Sequence, residues 1–406
     1  MNKRFYPCIP PKRRKEIEVL VLCARGRLDD ESIVQIRSLV DETVDWDYLI
    51  KTACAHNVHF LLYRSLKKAC AESVPNEALK TLEREYDINS RRSLLVFGKL
   101  VSILKLLQDN HILAVPFKGP VLAEMVYGDI ALRRFGDLDI LVNKHHAFKA
   151  IRILEDYGFR PEINLNKKQI FAYAGKKSSI ELTGNMSGLA VDMHWEMSGS
   201  YTFYPMDLSR METHLIKVNI AGKTINQPCA EDLLIYLCLN GARDCWQDME
   251  SVSALAGLIQ SHPEPDGMRL MQLSSTLRCQ RSVGLGLFLA CDIFHVSLPK
   301  YMMTLVEKDP VIPELAETVY NSFFNENNGT DAAKVNSKFS AFHFRVRDRW
   351  SEKIRYGKYL LLGATAREWE NFPVPAKLCF VHSILRPARL FLNFLARRFR
   401  VHGLKN

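Results

Sequence analysis

Asp137-Leu138-Asp139 is the tripeptide of this chain whose residue types and spacing suggest chemistry most directly. It opens the run Asp137-Leu138-Asp139-Ile140-Leu141-Val142, whose branched apolar residues predict a strand. Side chains alternate along a strand, so Asp137 and Asp139 share one face while Leu138 and Ile140 share the other. Two carboxylates on an otherwise apolar strand repel each other and resist desolvation. A divalent cation with oxygen ligands would relieve both penalties. The plain alternative is an edge strand with both aspartates in water.

Three neighbouring features favour the first reading. Lys118-Gly119 follows the apolar run Ile112 to Phe117 and precedes a short helical pattern in which Val121, Leu122, Met125 and Val126 are apolar. Glycine lets a backbone come close to a ligand, and a helix start offers free N–H groups to phosphate. Lys118 adds a point charge. Arg133-Arg134, just upstream of the aspartates, is suited to anion contact, or equally to a solvated loop. The third feature is distant in sequence. Ser179 to Leu182 and Leu189 to Trp195 read as two strands of a hairpin, joined by the polar loop 184–188. Asp192 lies inside the second strand, flanked by Val191 and Met193. A third acid aimed at the first two would complete a two-metal site. His194, two residues on, shares the face of Asp192 as a proton acceptor, as a support behind the acids, or as a packed ring.

The order strand, glycine turn, helix, strand with Asp-x-Asp, then a later strand with one Asp resembles the nucleotidyltransferase superfamily of DNA polymerase β. More closely, the chain resembles an uncharacterised bacterial nucleotidyltransferase family within it. Phe117-Lys118-Gly119, Tyr127-Gly128-Asp129, Arg133, Asp137 to Val142 and Asp192-Met193-His194-Trp195 carry the likeness. The resemblance implies metal-dependent transfer of a nucleoside monophosphate from a triphosphate, ATP being the expected one, to a hydroxyl-bearing acceptor. It implies Asp137, Asp139 and Asp192 as ligands of Mg²⁺ or Mn²⁺, and Lys118, Gly119, Arg133 and Arg134 as phosphate contacts. The wider superfamily carries Gly-Gly or Gly-Ser at its turn, where the serine helps hold the triphosphate. This chain has Lys118-Gly119-Pro120. Asn240 and Ala254 stand where members of the closer family often carry His, Lys or Asp.

Two other readings use the same residues. Sugar-nucleotide glycosyltransferases hold a metal-bound diphosphate with Asp-x-Asp, although Lys118-Gly119 and Asp192 are not explained that way. A non-catalytic nucleotide-binding scaffold, associated with a membrane, is the third.

The elements that must position these residues make a mixed α/β protein of the α+β kind. A small mixed sheet at 111–226 forms the core, embedded in large helical regions at 1–110 and 227–324, with a linker and basic segment at 325–406. Asp45 suits the N-cap of a helix Trp46 to Ala55. His56 and His59, three apart, read as capping or packing residues because zinc needs more ligands than their surroundings offer. Arg91 to Leu107 is amphipathic, residues 145–157 repeat apolar positions at helical spacing, and Thr213 to Val218 and Lys223 to Asn226 predict two further strands.

Composition narrows the rest. The 406 residues are 47% hydrophobic and 25% charged, as in a folded globular protein. Ten cysteines include no C-x-x-C pair, so neither zinc nor a thioredoxin-like motif is signalled, and buried thiols in a reducing cytoplasm are expected. The net charge of +10 resides entirely in residues 341–406. There, 386–400 mixes arginines with Phe and Leu, which predicts a terminal helix with a basic face, an anionic membrane contact at the inner face, or a nucleic-acid contact. No motif for sequence-specific DNA binding is present. Lys167, Lys168, Lys176 and Lys177 flank the hairpin, where they would face an anionic substrate or form a solvated rim. The acceptor is open among a protein hydroxyl, a small molecule, a sugar and an RNA end.

Overall fold

The computed structural model describes residues 5–163, 173, 176–184, 189–199, 205–324, 341–364, 368–369, 378 and 380–389. Lys167, Lys168, the loop 185–188, the linker 325–340 and residues 390–400 fall outside these.

After a single helical turn at Phe5–Cys8 come four longer helices: α1 (Arg14–Cys23), α2 (Asp30–Leu39), α3 (Trp46–Ala55) and α4 (His59–Cys70). Asp45 caps α3 as its sequence predicts, accepting from the Tyr48 N–H at 3.0 Å. The amphipathic stretch predicted over 91–107 belongs to a longer helix, α5 (Asn76–Asp109, 34 residues). It turns Val96, Phe97, Leu100, Ile103 and Leu107 toward the sheet.

The sheet has five strands: β1 (Ala114–Pro116), β2 (Asp137–Val142), β3 (Phe159–Pro161), β4 (Ser179–Gly184) and β5 (Ala190–His194). Their order is β1-β2-β5-β4-β3. Only β2 and β5 run parallel, and the other neighbours are antiparallel. β1 and β2 are joined through α6 (Gly119–Tyr127), and β2 and β3 through α7 (Lys144–Asp156). The inner face is dry: Leu138, Ile140, Val142, Ile180, Leu182, Val191 and Met193 pack with α5 and α7 in one apolar cluster. Alternation then forces the polar partners of those residues onto the opposite face.

β6 (Ile216–Ile220) and β7 (Lys223–Gln227) form a separate hairpin. The first of these strands begins later than its sequence suggests, because Glu212–His214 closes as a 3₁₀ turn. Helices α8 (Ala230–Arg243), α9 (Met249–Ser261), α10 (Gly267–Thr276), α11 (Gln280–Phe294), α12 (Lys300–Glu307) and α13 (Ile312–Phe323) follow. They share a second apolar core with α1 to α4. Long-range bonds join these halves: the Phe5 N–H donates to Asp292 at 2.8 Å, the Asn57 amide to Asp248 at 2.9 Å, and the Ser253 hydroxyl to the Ala24 carbonyl at 2.6 Å. Helix α14 (Trp350–Leu362) follows, and residues 380–389 are helical as well. Among the described residues, no helix is long and apolar enough to cross a membrane.

Candidate active site

The parallel pairing of β2 with β5 sets the geometry. Its register places Asp137 opposite Ala190, Asp139 opposite Asp192 and Leu141 opposite His194. Asp139 and Asp192 are therefore side by side on the polar face, 53 positions apart in the chain. On the other flank of β5, β4 sets Glu181 opposite Asp192 and Ser179 opposite His194.

Asp139 is buried at 4% exposure and fully engaged on one oxygen. Its Oδ1 accepts from Lys118 Nζ at 3.1 Å and lies 3.1 Å from His194 Nε2. The same His194 nitrogen is 2.9 Å from Asp192 Oδ2. Ligand atoms of Asp139, Asp192 and His194 all lie within 4.8 Å of one another. Asp192 Oδ1 and His194 Nδ1 are buried without a hydrogen-bond partner. A buried carboxylate oxygen left unpaired costs about 1–3 kcal/mol. Two carboxylates, an imidazole and an orphaned oxygen in one small volume fit a divalent cation. Carboxylate oxygens suit Mg²⁺ or Mn²⁺, and the ring nitrogen suits the softer of the two.

The electrostatics follow from burial and these contacts. Burial alone would push the Asp139 carboxyl up, but Lys118 and His194 outweigh it and hold it well below the usual carboxylate range. Burial would likewise push the His194 imidazole down, yet its bonds to Asp139 and Asp192 raise it to about 9. Protonated, the ring bridges the two acids; neutral, it offers a nitrogen to a metal ion held with them. Lys118 is raised too, because Tyr236 and Asp139 overcome its desolvation. Asp137, half-buried at the start of β2, is raised by its own burial and then by Asp139, with Lys118 pulling the other way. Glu181 is raised by burial, then by Glu162, Asp192 and Asp137.

The remaining expected residues divide. Gly119 starts α6 with φ +57°, a conformation glycine takes readily. Lys118 precedes it in extended geometry as the N-cap. Arg133 instead turns inward to Glu250, with Nε 2.7 Å from Oε1 and Nη2 3.4 Å from Oε2. Its charge still acts on Asp139, though more weakly than on Glu250. Arg134 is exposed, and its field is felt at His59. Asp129 of the Tyr127-Gly128-Asp129 turn is structural: it caps the 3₁₀ turn Ile130–Leu132 and accepts from the Tyr86 hydroxyl at 2.8 Å. His56 and His59 are packed rings, one edge-on to Phe323 and the other against Phe60. Arg386, at the start of the basic stretch, is buried against Glu368 at 2.5 Å and donates to the Leu360 carbonyl.

Two site residues escape a linear reading. Glu181 was detectable from the alternation Ser179-Ile180-Glu181-Leu182, which puts Ser179 and Glu181 on one face. Tyr236 was hidden in the apolar run of α8. Its ring lies 5.4 Å from Lys118 Nζ and edge-on to Phe117, whose own ring meets His194 edge-on. Its hydroxyl donates to Asn240 at 3.1 Å.

A small mixed sheet among helices, with acids gathered on one face beside a Lys-Gly helix start, defines an α+β protein in which Asp139, Asp192 and His194 could hold a metal ion. The chain belongs to the family described as uncharacterised nucleotidyltransferase, whose model matches residues 42–295. That span runs from just before α3 to the end of α11 and includes both sheets. Comparison with curated proteins and with solved structures returned no match.

Proposed function

We propose that this chain transfers a nucleotidyl group from a nucleoside triphosphate, ATP foremost, to a hydroxyl-bearing acceptor, with release of pyrophosphate. The observation that carries this reading is the Asp139–Asp192 pair, set in register across β2 and β5 with one buried oxygen unpaired. Membership in a nucleotidyltransferase family supplies the reaction class. The resemblance of its motifs to the polymerase β superfamily suggests the order of events.

Asp139 and Asp192 would hold Mg²⁺ or Mn²⁺, with Asp137 two residues back on the same face completing the acidic set. A bound divalent cation would supply Lewis-acid stabilisation of the triphosphate and of the attacking oxygen. Lys118 and the N–H groups at the start of α6 neutralise phosphate charge on the β1 side of the acids. Arg133 contributes its field from behind while bonded to Glu250. The acceptor oxygen forms a bond to the α-phosphorus, the bond from the α-phosphorus to the bridging oxygen breaks, and pyrophosphate leaves. The hydroxyl proton is released to solvent, because Asp192 Oδ1 is the oxygen assigned to the cation and Oδ2 is held by His194. His194, within bonding distance of both carboxylates, keeps them aligned.

The test is turnover by the full chain with labelled ATP, CTP, GTP and UTP in a cell lysate with Mg²⁺ or Mn²⁺. Asp137→Ala and Asp139→Asn should each lower metal-dependent pyrophosphate release by roughly 10³-fold or more. Turnover retained in either variant overturns the assignment of that residue. Wild-type protein inert with every nucleotide and metal would favour the scaffold reading.

A further inference from the structure

Two of the basic residues of the C-terminal segment lie beside one cavity. Arg355 and Lys358 of α14 line one wall of a cavity of about 290 Å³, and Lys176 and Lys177, just ahead of β4, line another. Tyr359, Trp369 and Ser383 complete its polar and aromatic lining; among the described residues that line it there is no carboxylate, although Glu196 and Glu352 stand close enough to feel the charge of Arg355. The two walls are joined through the lysines. Lys177 Nζ lies 5.8 Å from the Tyr359 ring centroid, and Lys176 Nζ lies 5.9 Å from that of Trp369. Both separations are within cation–π range. Behind them, the indole nitrogen of Trp369 and both ring nitrogens of His382 are buried without a hydrogen-bond partner. The His382 imidazole is pushed down by burial first, and then by Lys176 and Arg389.

The cavity adjoins the candidate active site. Trp195, whose side chain lies on the core face of β5 away from His194, donates its indole N–H to the Lys177 carbonyl at 2.6 Å and so fixes the start of β4. Ser179, two residues after Lys177, has its hydroxyl 3.4 Å from Asp192 Oδ2. At about 3.3 Å per strand residue, Lys177 begins within roughly 10 Å of the acids. It stands on the β4 side, whereas Lys118 and α6 stand on the β1 side. Attacking and leaving oxygens of a nucleotidyl transfer lie roughly in line through phosphorus. If the triphosphate lies against Lys118 and α6, the attacking hydroxyl enters from the β4 side, where this cavity is.

We propose that the Lys176, Lys177, Arg355 and Lys358 cavity binds the phosphate group of the acceptor, so that the molecule modified is a small hydroxyl-bearing phosphate ester. This rests on the nucleotidyl-transfer reading. The cavity volume is at the lower end of small-molecule sites, which fits one phosphorylated group rather than a nucleic-acid strand. Four cations around it match a doubly charged phosphate better than a single carboxylate.

The experiment uses the full chain and the variant Arg355→Glu/Lys358→Glu, both changes on exposed positions of α14. Glycerol 3-phosphate and inorganic phosphate are titrated calorimetrically, and ATP is titrated with Mn²⁺ in parallel. Saturable phosphate-ester binding that weakens at least tenfold in the variant, with ATP affinity unchanged, is the expected result. Absence of saturable binding to wild type, or equal binding by both proteins, overturns the proposal. ATP affinity falling in step assigns the cavity to the donor triphosphate and overturns it as well. A 5′-phosphorylated oligonucleotide binding far more tightly than glycerol 3-phosphate overturns the small-molecule class. Wild type that binds phosphate ester but no ATP with Mn²⁺ removes the transfer reading and, with it, the acceptor assignment.

Discussion

Arg133 and Lys118 lie fifteen positions apart, and each ends in a buried acid–base cluster, yet the clusters follow opposite plans. Around Arg133 the polar groups are closed on one another. Glu250 takes both guanidinium bonds, and its Oε1 also accepts from the Tyr127 hydroxyl at 3.3 Å, with Ser253 beside it. Around Lys118 they are left open. Asp139 is shared by Lys118 and His194, while Asp192 Oδ1 and His194 Nδ1 have no partner. The closed cluster ties α6 and the loop before β2 to α9. The open one leaves buried polar atoms unpaired, at a cost in stability.

The largest effect that separates the two should come from Glu250→Gln. The shape is kept but a buried guanidinium loses its countercharge, which costs roughly 3–5 kcal/mol. Urea unfolding should show a lowered midpoint with an unchanged slope, while metal-dependent turnover per folded molecule stays near wild type. Collapse of turnover at unchanged stability would mean that Arg133 touches substrate, and the contrast between closed and open clusters would fail.

A smaller effect tests the open cluster. Mn²⁺ binding to the native state alone stabilises by about 2.7 kcal/mol at a hundred times its dissociation constant. Wild type and Glu250→Gln should both gain melting temperature on adding Mn²⁺, from different baselines, and Asp192→Asn should gain much less. An equal gain in Asp192→Asn would place the cation elsewhere.

The same contrast explains what the sequence could and could not convey. Strand alternation is local, so Asp137 and Asp139 on one face of β2, and Asp192 with His194 on one face of β5, were legible from a few residues each. The family likeness supplied their meeting. Asp45 as the cap of α3 was legible for the same local reason. The fate of Arg133 was not, because Glu250 is 117 positions away and nothing near Arg133 announces it. Tyr236 was hidden because its neighbours on α8 are apolar and its partner, Lys118, arrives from another layer. The placement of Arg355 and Lys358 was equally non-local: they look like a solvated face until Lys176 and Lys177 are brought opposite.

The smallest effect concerns the turn that starts α6. Gly119 has φ +57°, and a Cβ there would find Asp137 O at 3.8 Å and the Phe135 ring at 3.9 Å. Those are ordinary contacts, so Gly119→Ala should cost about 1 kcal/mol through backbone conformation alone. Asparagine tolerates this region better than alanine, so Gly119→Asn should recover part of the loss. Gly98, inside α5, supplies the opposite sign. It has ordinary helical φ and nothing within 4 Å of its would-be Cβ. Gly98→Ala should therefore stabilise by about 0.4–1 kcal/mol. Measured by urea unfolding, the two alanines should move the midpoint in opposite directions. If Gly119→Ala proves neutral in stability yet weakens ATP binding tenfold, the glycine serves close approach of a phosphate rather than the turn, and the start of α6 joins the open cluster as a ligand contact.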